Sequence, residues 1–152
     1  GDAPIYNENY FAPYEEIDQK YAHLFTYRSL DIDESQLTPE LQQIYNTYIN
    51  DVLSQTIDID FDESLLSEER QVKIAQVLDA AVDGLIAEIE KHVDATTFAE
   101  LQTNYEIWLA DRYQYTKEWA HAFGTYDEEQ FYRAYKNVTE DYLARLFHEY
   151  LY

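Results

Sequence analysis

From Phe98 to Trp119 the chain reads FAELQTNYEIWLADRYQYTKEW. Phe98, Leu101, Tyr105, Trp108, Arg112, Tyr115 and Trp119 recur at alternating spacings of 3 and 4. That alternation lines up side chains on one face of an α-helix, whereas a strand repeats every second residue. Six of the seven are apolar or aromatic, so the stripe predicts the seam of a helical bundle. Thr97-x-x-Glu100 predicts a capping box at its start, and Gly124 a C-terminal glycine at its end.

The flanking sequence repeats this grammar. A helix is expected from about Pro13 to Arg28, with Tyr14, Ile17, Tyr21, Leu24 and Phe25 on one face. A second starts at Thr38 with Pro39 in the first helical position, and its stripe is Leu41, Tyr45, Tyr48 and Val52, flanked by Ile44 and Ile49. A third runs from near Ser67 to about His92, where Val72, Ala75, Leu78, Val82, Leu85, Ile86 and Ile89 form a broad apolar face. The last opens at Asp127 with Gln130 three residues on, and carries Phe131, Tyr135, Val138, Tyr142, Leu146 and Tyr150. Only the short, charged run Ile57-Asp-Ile-Asp-Phe-Asp alternates with period two. The expectation is an all-α, up-and-down bundle of about five helices, with residues 1–12 as an extended segment and 13–152 as one domain.

Composition narrows the chemistry. At 152 residues with 46% hydrophobic content, the chain can bury a core without staples. It contains no Cys, which excludes disulfides and thiolate sites, and no Met. The opening Gly1-Asp-Ala-Pro looks like a trimmed product from which a targeting segment has gone, and no apolar run approaches a membrane span. Ten Lys and Arg face 31 Asp and Glu, giving a net charge of −21. Such a surface repels nucleic acid and anionic lipid and attracts cations and basic proteins, although acidity also serves solubility alone. The 16 Tyr suit half-buried positions and recognition surfaces equally.

Two motifs have the spacing of a chemical site. Asp58, Asp60, Asp62 and Glu69 fall at positions 1, 3, 5 and 12 of a calcium-loop pattern. Position 6 is Glu63 where such loops need Gly, so a capped helix start is the preferred reading. An internal echo supports it: Asp31-Ile-Asp-Glu-Ser-Gln-Leu-Thr-Pro-Glu-Leu-Gln42 returns 29 residues later as Asp60-Phe-Asp-Glu-Ser-Leu-Leu-Ser-Glu-Glu-Arg-Gln71. In both copies a Thr or Ser precedes the helix, and the acids lie near its positive end. Glu118-Trp-Ala-His121 has the E-x-x-H spacing of di-iron bundles, but no second copy exists, so an exposed His near a helix end is expected. No nucleophile motif, phosphate-cradling loop or matched acid–base pair appears, and no metal or cofactor is expected.

Arg112 stands in the stripe where a core residue belongs. Either it is buried against an acid and an aromatic, fixing helix register, or it waits at a groove for a partner's carboxylate. Its position on the seam favours burial.

The segment Leu101-Gln-Thr-Asn-Tyr-Glu-Ile-Trp-Leu-Ala-Asp-Arg-Tyr113 resembles the signature of the LprI-type lysozyme-inhibitor domain. Trp108 and Arg112 match that family's Trp and the Arg four residues after it, and Leu41-Gln-Gln-Ile-Tyr-Asn-Thr-Tyr48 is similar to its helix of a Leu followed by spaced Tyr. The family's Gln three residues before the Trp is Tyr105 here, and its Cys are missing. The resemblance implies a small helical domain, periplasmic or secreted in bacteria, some members of which inhibit lysozyme. The candidate binding residues are Trp108, Arg112, Tyr105 and Tyr115. The expected function is non-enzymatic binding of a basic protein, lysozyme among them. Alternatives are a calcium-binding helical domain using residues 58–69, or a cytosolic acidic immunity or decoy protein whose acidic rows imitate phosphates.

Overall fold

The structure, a computed structural model, describes residues 5–25 and 32–152, with side chains from Ala12 onward. The fold is an all-α helical bundle. Its elements are α1 (Ile5–Lys20), α2 (Pro39–Tyr45), α3 (Asp51–Asp60), α4 (Ser67–Glu90), α5 (Ala95–Ala120) and α6 (Glu128–Tyr150). A π-helical turn, Asn46–Asn50, joins α2 to α3 end to end, so the six stretches make five rods.

Helix starts follow the capping chemistry, with two shifts. Thr38 caps α2 by accepting from the Leu41 amide, and Asp127 caps α6 by accepting from Glu129 and Gln130. The start of α5 lies before the expected capping box: Asp94, not Thr97, is the cap, and Thr97 is its amide donor. The α4 cap position is Leu66, so Ser67 is the first helical residue and makes no side-chain cap. α5 ends at Ala120, four residues before Gly124, whose φ of 95° closes the following turn.

At the N-terminal end the chain is already helical from Ile5, with Pro13 inside the helix, where an extended segment was expected. α1 stops at Lys20 and a 3₁₀ turn follows at Ala22–Phe25, which keeps Tyr21 and Leu24 buried. Residues 26–28 of the expected helix lie outside the described residues.

α6 is the central helix. It packs against both α4 and α5, which scarcely touch each other, while α3 covers α4 and α1 covers α5. Ala134, Val138, Leu143, Leu146 and Phe147 of α6 meet Leu78, Val82, Leu85 and Ile89 of α4 in the interior. Each such Leu, Val, Ile or Phe contributes about 1.5–3 kcal/mol of burial before the entropy of ordering is subtracted. The α5 stripe divides in depth. Leu101, Trp108 and Tyr115 are fully buried, whereas Phe98, Tyr105, Arg112 and Trp119 stand half-buried at the rim.

The π turn changes the second rod's register. Ile44 and Ile49, five residues apart, are both buried, and Val52 and Thr56 continue the face, so the expected Leu41, Tyr45 and Tyr48 stripe is displaced to its flanks. From outside, Asn50 donates to Glu34 and Asn46, and Gln42 donates to the same two oxygens, which holds the turn against the preceding loop.

Gly84 on α4 makes room for this rod. A Cβ there would come within 2.5 Å of Tyr48 Cε1. Gly84→Ala is therefore expected to lower stability in urea unfolding, despite alanine's helix preference of about 1 kcal/mol. In a Tyr48→Ala background the same change should become stabilising. A stabilising Gly84→Ala in the unaltered protein would show that Tyr48 does not need the space.

Candidate functional site

Three of the four expected binding residues, Tyr105, Trp108 and Arg112, converge on one cluster, and it is built inward. Arg112 Nη1 donates to Asp79 Oδ1 on α4 at 2.8 Å and to Thr139 Oγ1 on α6 at 3.2 Å. Its guanidinium lies between two rings, 4.7 Å from the Trp108 centroid and 4.2 Å from that of Tyr135. The Tyr135 hydroxyl donates to the other Asp79 oxygen. Trp108 in turn stacks on Tyr142 at 3.9 Å, and Tyr105 stacks against both. Trp108 is 2% exposed. Arg112 thus has the acid and the aromatics that burial demands, and as a partner's anchor it is already engaged.

Tyr115, also in the expected set, is 1% exposed and donates to Asp18 on α1 at 2.7 Å. Asp18 accepts from Trp119 Nε1 as well, at 2.9 Å. Beside it Glu118 accepts from Tyr21 and, at 2.9 Å, from Lys20, and His23 faces Asp111 at 3.2 Å. Burial would raise the Glu118 carboxyl, but the bonds from Tyr21 and Lys20 outweigh it and hold its pKa below the ordinary range. The E-x-x-H pair is thereby separated: Glu118 fastens α1 to α5, while His121 is the exposed C-cap residue beside Tyr126. Of the four expected binding residues, Trp108 and Tyr115 are interior, and Arg112 and Tyr105 are half-buried.

The sequence pattern assigns no site role to Asp79, Thr139 or Asp18, and places Tyr135 only in the apolar stripe of the last helix. Asp18 had a signal, since it falls four residues after Tyr14 and three before Tyr21, inside the apolar stripe of α1. Asp79 lies likewise four after Ala75 and three before Val82.

The acidic stretch 58–69 does not form a calcium loop. Asp58 and Asp60 belong to the last turn of α3, and Glu69 to the first turn of α4. Asp62 Oδ1 accepts from the Ser64 amide at 3.0 Å and from its hydroxyl at 2.6 Å. Asp33 does the same to Ser35 at 3.1 and 2.6 Å, so the sequence echo is a repeated Asp–Ser turn. The Ser64 bonds hold the Asp62 carboxyl below its ordinary pKa. Among the described residues no three His, Asp or Glu side chains converge as a metal site.

What remains available to a partner is the surface itself. Among the described residues, twenty exposed side chains are Asp or Glu and five are Lys or Arg. Lys20, Lys91, Arg112, Arg133, Lys136 and Arg145 each sit within 4 Å of a carboxylate on the same chain, so most positive charge is answered internally. No described helix is long and apolar enough to cross a membrane. Comparison with protein-family models, with curated proteins and with solved structures finds no match.

Two outcomes follow from this burial. Trp108→Ala should cost about 3–5 kcal/mol in urea unfolding, as a buried aromatic truncation does; a loss under about 0.5 kcal/mol would place the indole at the surface instead. Burial, then the bond to Glu118, pushes the Tyr21 hydroxyl up to about 12, and burial pushes Tyr135 and Tyr142 upward too. The unfolded chain releases those protons near pH 10 while the native state keeps them, so stability should fall as pH rises from about 10 through 12. Urea midpoints at pH 9 and pH 11 measure this, and equal midpoints would contradict it.

Proposed function

We propose that the protein acts by binding rather than by catalysis, and that its partner is a basic protein, lysozyme being the named candidate. The observation that carries this reading is the imbalance of exposed charge, twenty acids against five bases among the described residues. A field of that sign accelerates encounter with a cationic surface and repels nucleic acid and anionic lipid. The cations that could attract an anionic ligand are mostly spent on intramolecular carboxylates. Lysozyme enters through the resemblance of residues 101–113 to lysozyme-inhibitor domains, which also carries the proposed periplasmic or secreted location. In this reading Trp108 and Arg112 shape the domain, and exposed acids and aromatics make the contacts.

The test is titration of lysozyme at low and moderately high salt, beside an unrelated protein of equal positive charge. One-to-one binding to lysozyme alone, weakened but not abolished by salt, is the expected result. Equal binding to both proteins that vanishes with salt would reduce the acidity to nonspecific attraction and reject the reading.

A further inference from the structure

Three large apolar residues are left outside at the turn between α3 and α4. Ile57 is 54% exposed, Phe61 77% and Leu66 68%. Ile57 and Phe61 are one helical turn apart at the end of α3, where the Phe61 amide donates to the Ile57 carbonyl at 3.1 Å, so they share a face. Their neighbour Ile59 instead packs against the core. The turn is held firmly: the Asp62 carbonyl accepts from the Leu65 amide at 3.2 Å and from Arg70 Nε at 2.8 Å. Across a shallow cleft of about 410 Å³ lined by Ser67, Glu68 and Gln71 stands Tyr126, 57% exposed, from the α5–α6 turn. Ile57, Phe61 and Leu66 are thus exposed at the α3–α4 turn, and Tyr126 at the α5–α6 turn across the cleft from the start of α4.

The rim at this end is predominantly acidic, with Arg70 turned onto the Asp62 carbonyl, Lys73 following on α4 and Arg133 paired to Glu129 as the bases among the acids. Asp58, Asp60, Glu63, Glu68 and Glu69 are exposed around the first turn, and Asp127, Glu128 and Glu129 border Tyr126. Residues 57–69 contain no Lys or Arg. We propose that this end is the docking surface, and that its occupant is a basic protein segment carrying apolar side chains among its lysines and arginines; this rests on the function proposed above. An apolar patch ringed by polar groups marks an interaction site, and here the ring selects the partner's sign. A second copy would bring the same acids against these acids. Anionic lipid meets the same repulsion.

Two synthetic helical peptides of equal positive charge serve as probes, one with lysines and leucines, the other with glutamine in place of every leucine. The wild-type protein should bind the leucine peptide at least tenfold more tightly, with backbone amide shifts concentrated in residues 57–72 and 124–129. The double variant F61S/L66S, altered only at exposed positions, should lose that preference, while Ile107→Ser, exposed on α5, should keep it. Equal affinity of the wild type for both peptides, a preference that survives in F61S/L66S, or shifts concentrated elsewhere would overturn the surface. Amide shifts in the unaltered protein decide the matter even if the double variant fails to fold. Lysozyme judges the other proposal separately: its failure to bind, with the peptides still discriminated, rejects lysozyme as partner and leaves the surface standing.

Discussion

A single guanidinium ties the three long helices together. Arg112 reaches from α5 to Asp79 on α4 and Thr139 on α6, and is covered by Trp108 and Tyr135. A charge at the rim of an apolar seam is costly unless it is paired and its donors are answered. Here the answer comes from two other helices, so the arginine is satisfied only when α4, α5 and α6 are all in register. Its planar, delocalised head also stacks on rings as an ammonium could not. The arrangement converts a residue that looks misplaced in its own helix into the joint of the bundle.

A second joint follows the same logic at the outer edge. Asp18 stands in the α1 stripe as Arg112 stands in that of α5, and is answered by Tyr115 and Trp119. Tyr21 and Lys20 meet Glu118 beside it. Tyrosine suits these places because its ring joins the core while its hydroxyl neutralises the need of a half-buried carboxylate. Much of the tyrosine content thus has a structural use, and the aromatics open to a partner are fewer than the composition suggests. Phe61, Tyr113, Phe123 and Tyr126 are among those that stay exposed.

Acidity has two origins in this molecule. Asp33, Asp62, Asp94 and Asp127 accept from nearby amides at turns and helix starts, where carboxylates also oppose the positive end of the helix. Those acids need no partner. Asp18, Asp79 and Glu118 are taken by groups on other elements, and most of the remaining acids face water and set the sign of the surface; at the α3–α4 end they surround apolar side chains that the core did not take. Phe61 and Leu66 stay exposed, whereas Ile44, Ile49 and Val52, earlier on the rod that ends at Phe61, are buried.

The helical class, the rods and most of their starts were legible in the sequence, because they rest on groups within four residues of each other. The α5 stripe, the Thr38 and Asp127 caps and the charge imbalance are local or additive, and each stands in the structure as the sequence reads. Boundaries slipped where two local signals competed, as when Asp94 capped α5 ahead of Thr97. The π turn at Asn46–Asn50 escaped because it is held from outside by Glu34 as well as by its own asparagines. Which stripe residues lie deepest, that Arg112 finds an acid 33 positions away, and that Phe61 and Leu66 remain outside were decided by tertiary structure alone. The physical reason is that α6 inserts between α4 and α5. Periodicity fixes the face each helix offers, but only the placement of the neighbouring helices fixes what that face meets.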